Sequence, residues 1–599
     1  MAEKKLRERK DIEQKYKWDI EDMFPDESVI DGILEETEKE AAAFVSFRGK
    51  VTESADTLLK ALQERDRIWQ RLEKVFVYAR MRRDEDNRVA EYQAMTDKCG
   101  SIAAKTSAAT SFFIPELLSA PEEKVMGFVD ELKDLEMYRF FLKDVFREKA
   151  HVLSKEEENI IAQLSEVTGA SGDIFTMLNN ADMKFGNIKN EDGEDEQLTH
   201  GNYIKFMESK DRRVRKDAFT HMYRPYMDLI NTIATAYNYN TKADVISARM
   251  RKYESSLHSA LSSDNIPVSV YDNLIDTVND TLPVLYKYLD ARKKLLGVDE
   301  LHMYDIYVPL IDMPKEDIPY EQGLEIIRKA LEPMGADYLS KMNAGIDARW
   351  IDVYENEGKT SGAYSFGSYD SKPYILLNYS DTLQDVFTII HEMGHSMHSC
   401  YTRARQPFIY GGHSIFTAEV ASTVNESLLM HYLLSEADSD QRRRFLINMH
   451  IEEFRTTLFR QTMFAEFEKL THEALENGTV LTAQWLCSQY KALNEKYFGP
   501  GVVCDEEITY EWARIPHFYN AFYVYKYATG YSAATAISDK IINEGEKARD
   551  NYIEFLKTGE SDHPIELLKI AGVDMSSPEP VKQAMDVFKN LVDEFTKLV

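Results

Sequence analysis

Long runs in which apolar residues return every three or four positions leave this chain few options, because a stripe of that period can be buried only as a helix face. From about residue 28 to residue 180 charged and apolar residues follow this spacing, as in TLLKALQERDRIWQRLEKVFVYARM, where Leu58, Leu62 and Ile68 to Leu72 mark the apolar side. Two features interrupt it: the stretch from Ser111 to Pro115, and the acidic, glycine-containing segment from Gly186 to Glu196, which reads as a β-hairpin or solvated loop. Helical spacing resumes from 203 to 300 and again after Asp381, with breaks near Gly411-Gly412, Asn477-Gly478 and Gly499-Pro500-Gly501. Between Trp350 and Tyr379 the texture changes: WIDVYENEGKTSGAYSFGSYDSKPYILLNY mixes β-formers with Gly, Ser, Asp and Pro, and predicts a small sheet of two to four strands. The expected fold is mostly α with a small β insert.

Charge narrows the partners. With 72 basic against 102 acidic residues the chain carries a formal charge of -30, which repels phosphate backbones and anionic lipid surfaces, so nucleic-acid and membrane partners are not expected. The amino-terminal MAEKKLRERKDIEQKY places charges where a secretory signal needs an apolar core, and no run approaches the ~20 apolar residues of a membrane span. Cys99, Cys400, Cys487 and Cys504 lie far apart and predict reduced thiols, not a disulfide framework or a thiolate metal site. A cytoplasmic location is the expectation.

One segment carries chemistry. Ser380 or Asp381 can cap a helix that runs through TLQDVFTII into His391-Glu392-Met393-Gly394-His395. Four residues apart on a helix, His391 and His395 project from one face, one turn above the other, and can meet a single tetrahedral Zn²⁺. Glu392 lies about 100° around the helix, poorly placed to ligate but able to take a proton from an attacking water. A third ligand is required, and Glu419 and Glu426 lie seven apart, hence on one face, in the next helical segment. A return helix after the Gly411-Gly412 break would bring Glu419 opposite the imidazoles and leave a fourth coordination position open. Glu426 would then orient a histidine or make a salt bridge, and His398 would be a neighbour, not a ligand.

HEMGHSMHS followed by YGGHSIFTAEVASTVNE resembles the thimet oligopeptidase family of zinc peptidases, in particular its bacterial oligoendopeptidase F branch. The resemblance implies that His391, His395 and Glu419 hold one Zn²⁺ per chain and that Glu392 is the general base. It implies a multi-helical, zincin-type peptidase with a small sheet beside the metal-binding helix and a deep substrate channel, residues 1–200 forming one helical wall and residues 201–599 the catalytic domain. Its activity would be endopeptidase cleavage of short unstructured oligopeptides. The same zinc groups would also serve an exopeptidase such as a dipeptidyl carboxypeptidase, and a non-catalytic helical peptide-binding protein is the alternative from another class.

Hydrolysis also needs donors for the charge that develops on the carbonyl oxygen. His517, Tyr519, Tyr523 and Tyr527 are candidates at spacings of two, four and four, the three tyrosines forming one stripe if the stretch is helical, or packing in a core instead. By resemblance His517, Tyr523 and Tyr527 stabilise the oxyanion and Tyr519 meets substrate. Gly411, Gly412 and His413 form either a flexible segment that closes over peptide or a plain turn between helices. GAYSFG and PYILLNY offer a strand edge to which a peptide backbone could add, or a sheet that only props the helix.

Overall fold

A computed structural model describes residues 6–312 and 316–599. By packing, the chain divides into two compact units, one drawn from residues 1–149, 315–432 and 537–573, the other from residues 150–314, 433–536 and 574–599. Residues 6–149 therefore pack with the segment that carries HEMGH, whereas residues 150–200 belong to the second unit. Among the described residues no helix is long and apolar enough to cross a membrane.

In the first unit the helix Ala55–Glu85 is the organising element, capped by Ser54, whose hydroxyl accepts the Thr57 amide. The stripe read from the sequence is buried as expected: Leu58, Leu62 and Ile68 join Phe44, Phe113 and Tyr138 in one core. Farther along, Leu72, Val75 and Tyr78 meet Trp18, Ile20, Tyr374 and Leu376 in another. That second core seats a three-stranded sheet in which Tyr374–Leu376 is central, parallel to Ile351–Asp352 and antiparallel to the edge strand Tyr364–Phe366. Three strands fall within the expected range. A buried ion network ties sheet to helix: Arg9 bonds Glu85 at 2.6 Å and Asp352 at 2.7 Å, while Lys359, with a fully buried side chain, reaches Asp352 at 2.7 Å. Trp18 Nε1 donates to Glu85 as well. Each buried charge thus has an opposite partner, the condition under which burial is tolerated.

The helix that carries HEMGH is Leu383–Arg405. Its cap is Thr382, not Ser380 or Asp381. Thr382 Oγ1 accepts the Asp385 amide and the Asp385 carboxylate accepts the Thr382 amide, a reciprocal box that the Thr-x-x-Asp spacing makes possible. Ser380 Oγ instead donates to the Asp385 carboxylate, and Asp381 turns the chain at φ 63°. The return helix Ile415–Ser435 follows, its last three residues falling in the second unit.

The second unit is helical too, with Lys155–Met177, Ile230–Met250, Val268–Leu296, Arg460–Glu476 and Glu579–Leu598 among its longer elements. The acidic segment is a hairpin, Asn187–Lys189 paired antiparallel with Asp195–Gln197. A parallel pair of two-residue strands, Leu301–His302 with Val502–Val503, is too short to leave a period in the sequence. The tyrosine stripe does not form: Pro516–Tyr519 is a 3₁₀ turn, Phe522 is left-handed at φ 57°, and the helix begins only at Tyr525.

Candidate metal centre

Helix pitch brings the two imidazoles together, with His391 Nε2 and His395 Nε2 at 3.2 Å. The return helix adds Glu419, whose Oε2 lies 3.6 Å from His391 Nε2 and 3.8 Å from His395 Nε2. The ligand atoms of these three residues all lie within 4.8 Å of one another. A point equidistant from the three atoms is about 2 Å from each, the bond length of Zn²⁺ to imidazole nitrogen and carboxylate oxygen, and two nitrogens with one oxygen are a zinc donor set. The residues present therefore fit the ion.

Such close approach depends on the glycine inside the motif. A Cβ at Gly394 would stand 2.6 Å from the Ala421 carbonyl oxygen and 2.6 Å from Ser422 Cα, so any side chain there would push the return helix away. Asn425 Nδ2 then bonds the Ile390 carbonyl across the same contact. Ser422 Oγ reaches the Glu419 carboxylate at 3.3 Å and helps aim it. His391 Nδ1 faces Glu426 Oε2 at 3.2 Å, and the His395 ring bonds the Ala418 carbonyl, so a partner on each ring leaves Nε2 directed inward. Glu426 thus stands at the outer nitrogen of His391. His398 is 2 % exposed and packs against the His413 ring at 3.7 Å, outside the ligand set.

Glu392 is 8 % exposed, and burial lifts its carboxyl to about 7, with Glu419 and Glu426 adding to the rise and His391 opposing it. That value suits a group that must take and return a proton near neutrality. Burial lowers the His391 pKa, but Glu426 above all, then Glu392 and Glu419, hold it at about 9, whereas burial beside His391 takes His395 down to about 3. The Ser365 amide donates to the Glu392 carboxylate, which puts the edge strand Tyr364–Phe366 next to the base. Sequence reading had the strand but missed this contact, which only the fold creates.

The segment between the helices is pinned. Neither Gly411 nor Gly412 needs a left-handed φ; a Cβ at Gly411 would strike the Tyr369 ring at 2.6 Å, and one at Gly412 would sit 3.1 Å from Glu560 Oε2. His413 Nε2 bonds Thr402 Oγ1 at 3.0 Å, which in turn donates to the Leu556 carbonyl. A side chain at Gly411 would thus meet a ring, whereas one at Gly412 would meet only the end of the Glu560 side chain.

In the second unit His517, Tyr523 and Tyr527 form an aromatic cluster, with ring centroids 6.1 Å apart for His517 and Tyr523, 6.2 Å for His517 and Tyr527, and 5.5 Å for the two tyrosines. Tyr519 is not part of it. Its ring stacks on Phe175 at 4.5 Å and meets Tyr237 edge-on, because the 3₁₀ turn rotates it away from the direction a helix would give.

Residues 205–587 match the family model of peptidase family M3, and residues 116–185 match the model described as Oligopeptidase F. Oligopeptidase PepF of Bacillus subtilis (strain 168) is 45% identical over 603 residues, spanning 100% of this chain and 90% of that one. Group B oligopeptidase PepB of Streptococcus agalactiae is 42% identical, spanning 99% of this chain and 98% of that one. Among solved structures, oligoendopeptidase-F from Enterococcus faecium superposes with a TM-score of 0.75 at 37% identity, covering 95% of this chain and 98% of that one. A family match across residues 205–587 and relatives of this identity over the full length lead to one assignment: the chain belongs to peptidase family M3 and is a metalloendopeptidase.

Proposed function

We propose that the protein is a zinc-dependent oligoendopeptidase of the cytoplasm that cleaves internal bonds of short unstructured peptides, with His391, His395 and Glu419 holding one Zn²⁺ per chain. The observation that carries this reading is the convergence of those three side chains beside a buried Glu392. Bound there, Zn²⁺ would polarise the scissile carbonyl and make water a competent nucleophile. Glu392 takes the water's proton and later delivers it to the leaving amine, a double duty that its raised pKa supports. The edge strand at Ser365 aligns the peptide by backbone bonds, which tolerates many side chains. His517, Tyr523 and Tyr527 act as donors to substrate and to the developing oxyanion, a role supported by their clustering. The oligopeptide substrate class is supported by the names of the relatives, and the cytoplasmic location by the charge of -30.

The test is Glu392→Gln assayed on peptides blocked at both ends, with metal content measured on the same sample. The variant should keep about one zinc per chain while turnover falls by about 10²–10⁴-fold. Near-normal turnover would remove Glu392 as the base, and cleavage that requires a free terminus would remove the endopeptidase reading.

A further inference from the structure

The second unit holds a cavity of about 270 Å³ whose lining includes none of the residues assigned above. Its lining combines charged residues, Arg455, Arg460, Arg514 and Glu511, with apolar ones, Phe219, Leu285, Met303 and Phe459 among them. The charges do not balance. Arg455 bonds Glu452 at 2.9 and 2.6 Å, and Glu452 is shared with Arg292 at 3.3 Å. Arg460 pairs with Glu511 at 2.7 Å and donates to the Tyr307 hydroxyl. Arg514 has neither carboxylate. Its guanidinium lies over the Tyr203 ring at 5.0 Å and the Tyr223 ring at 5.6 Å, and its edge makes one long bond, 3.4 Å, to the Tyr223 hydroxyl. Four guanidinium groups thus share two carboxylates in a chain that is strongly acidic overall.

Stacking compensates the faces of a guanidinium, but its five N–H donors lie in the plane and need acceptors at the edge. An oxyanion would supply them. A planar carboxylate matches the guanidinium fork bidentately, and the apolar residues of the same lining would take a hydrocarbon tail. The volume, about 270 Å³, is just below the range of ligand pockets, about 300–1,000 Å³, which limits the tail to a few carbons. We propose that this cavity binds a small carboxylate bearing an apolar tail, of the size of a free amino acid or short aliphatic acid.

The test is calorimetric titration of the full chain, metal-loaded, with acetate, butanoate, hexanoate and phosphate at constant ionic strength. Because it needs no turnover, it fails or succeeds separately from the peptidase reading. Binding should saturate, tighten from acetate to hexanoate, persist after chelation of the metal, and weaken roughly tenfold or more in Arg514→Gln. Absence of saturable carboxylate binding, equal affinity in Arg514→Gln, or phosphate binding more tightly than hexanoate would each overturn the proposal. So would binding that vanishes with the metal, since it would belong to the metal centre. Should Arg514→Gln fail to fold, Arg514→Lys keeps the charge and loses the fork; unchanged hexanoate affinity in that variant is equally fatal.

Discussion

The metal centre of the first unit and the arginine cavity of the second are opposite in electrostatic sense. Around His391 three carboxylates, Glu392, Glu419 and Glu426, converge on two imidazoles whose inner nitrogens face each other at 3.2 Å. Around Arg514 donors converge instead, and acceptors are short by two carboxylates. The network at Asp352 is the reference for both, since there Arg9, Lys359 and Arg82 are met by Glu85 and Asp352, with Glu21 and Glu27 also on Arg82. A buried set that balances itself holds a fold together; one that does not is matched to a ligand of the missing sign.

If the reference is balanced, breaking it should give the largest loss of stability in this comparison. Asp352→Ala leaves Lys359 with a fully buried side chain and no carboxylate at 2.7 Å, and Arg9 with Glu85 alone. The expected loss is about 3–5 kcal/mol, read as an earlier urea transition monitored by tryptophan fluorescence, to which Trp18, bonded to Glu85 in the same network, contributes. A loss below 1 kcal/mol would mean that the network is not the structural element its burial suggests. At the metal centre the corresponding change is Glu426→Gln, which keeps the shape and removes the charge opposite His391 Nδ1. Zinc affinity should fall by about 10–100-fold in a chelator competition while the fold is kept. Unchanged affinity would reduce Glu426 to a salt bridge.

How much of each region the sequence discloses follows from chain distance. His391, His395, Glu419 and Glu426 lie on two consecutive helices, so pitch and one reversal suffice to bring them together, and the motif could be completed by counting residues. What spacing does not encode is which small side chain enables a contact: Gly394 reads as an ordinary position in H-E-x-x-H until the return helix is seen against it. Local hydrogen-bond chemistry moved the cap from Ser380 to Thr382, and a left-handed Phe522 dissolved the tyrosine stripe, since a spacing argument presupposes the helix it is used to infer. The cavity draws on Tyr203, Leu285, Arg460 and Arg514, parts of the chain far apart in sequence, and no period or motif links them.

The smallest expected effect is the most telling for the second unit. Arg514→Met removes a guanidinium that no carboxylate matches and leaves a flexible apolar side chain between Tyr203 and Tyr223. Two cation–π contacts are lost, each worth about 0.5–1 kcal/mol where solvent reaches them, but so is the penalty of burying surplus charge. Methionine keeps a favourable sulfur–aromatic contact with the same rings. The two contributions nearly cancel, and the unfolding free energy read from the urea transition should change by no more than about 1 kcal/mol, in either direction. A loss as large as that of Asp352→Ala would show that Arg514 is bound into the fold as tightly as Asp352 is, and the contrast between a balanced network and a ligand-matched one would collapse.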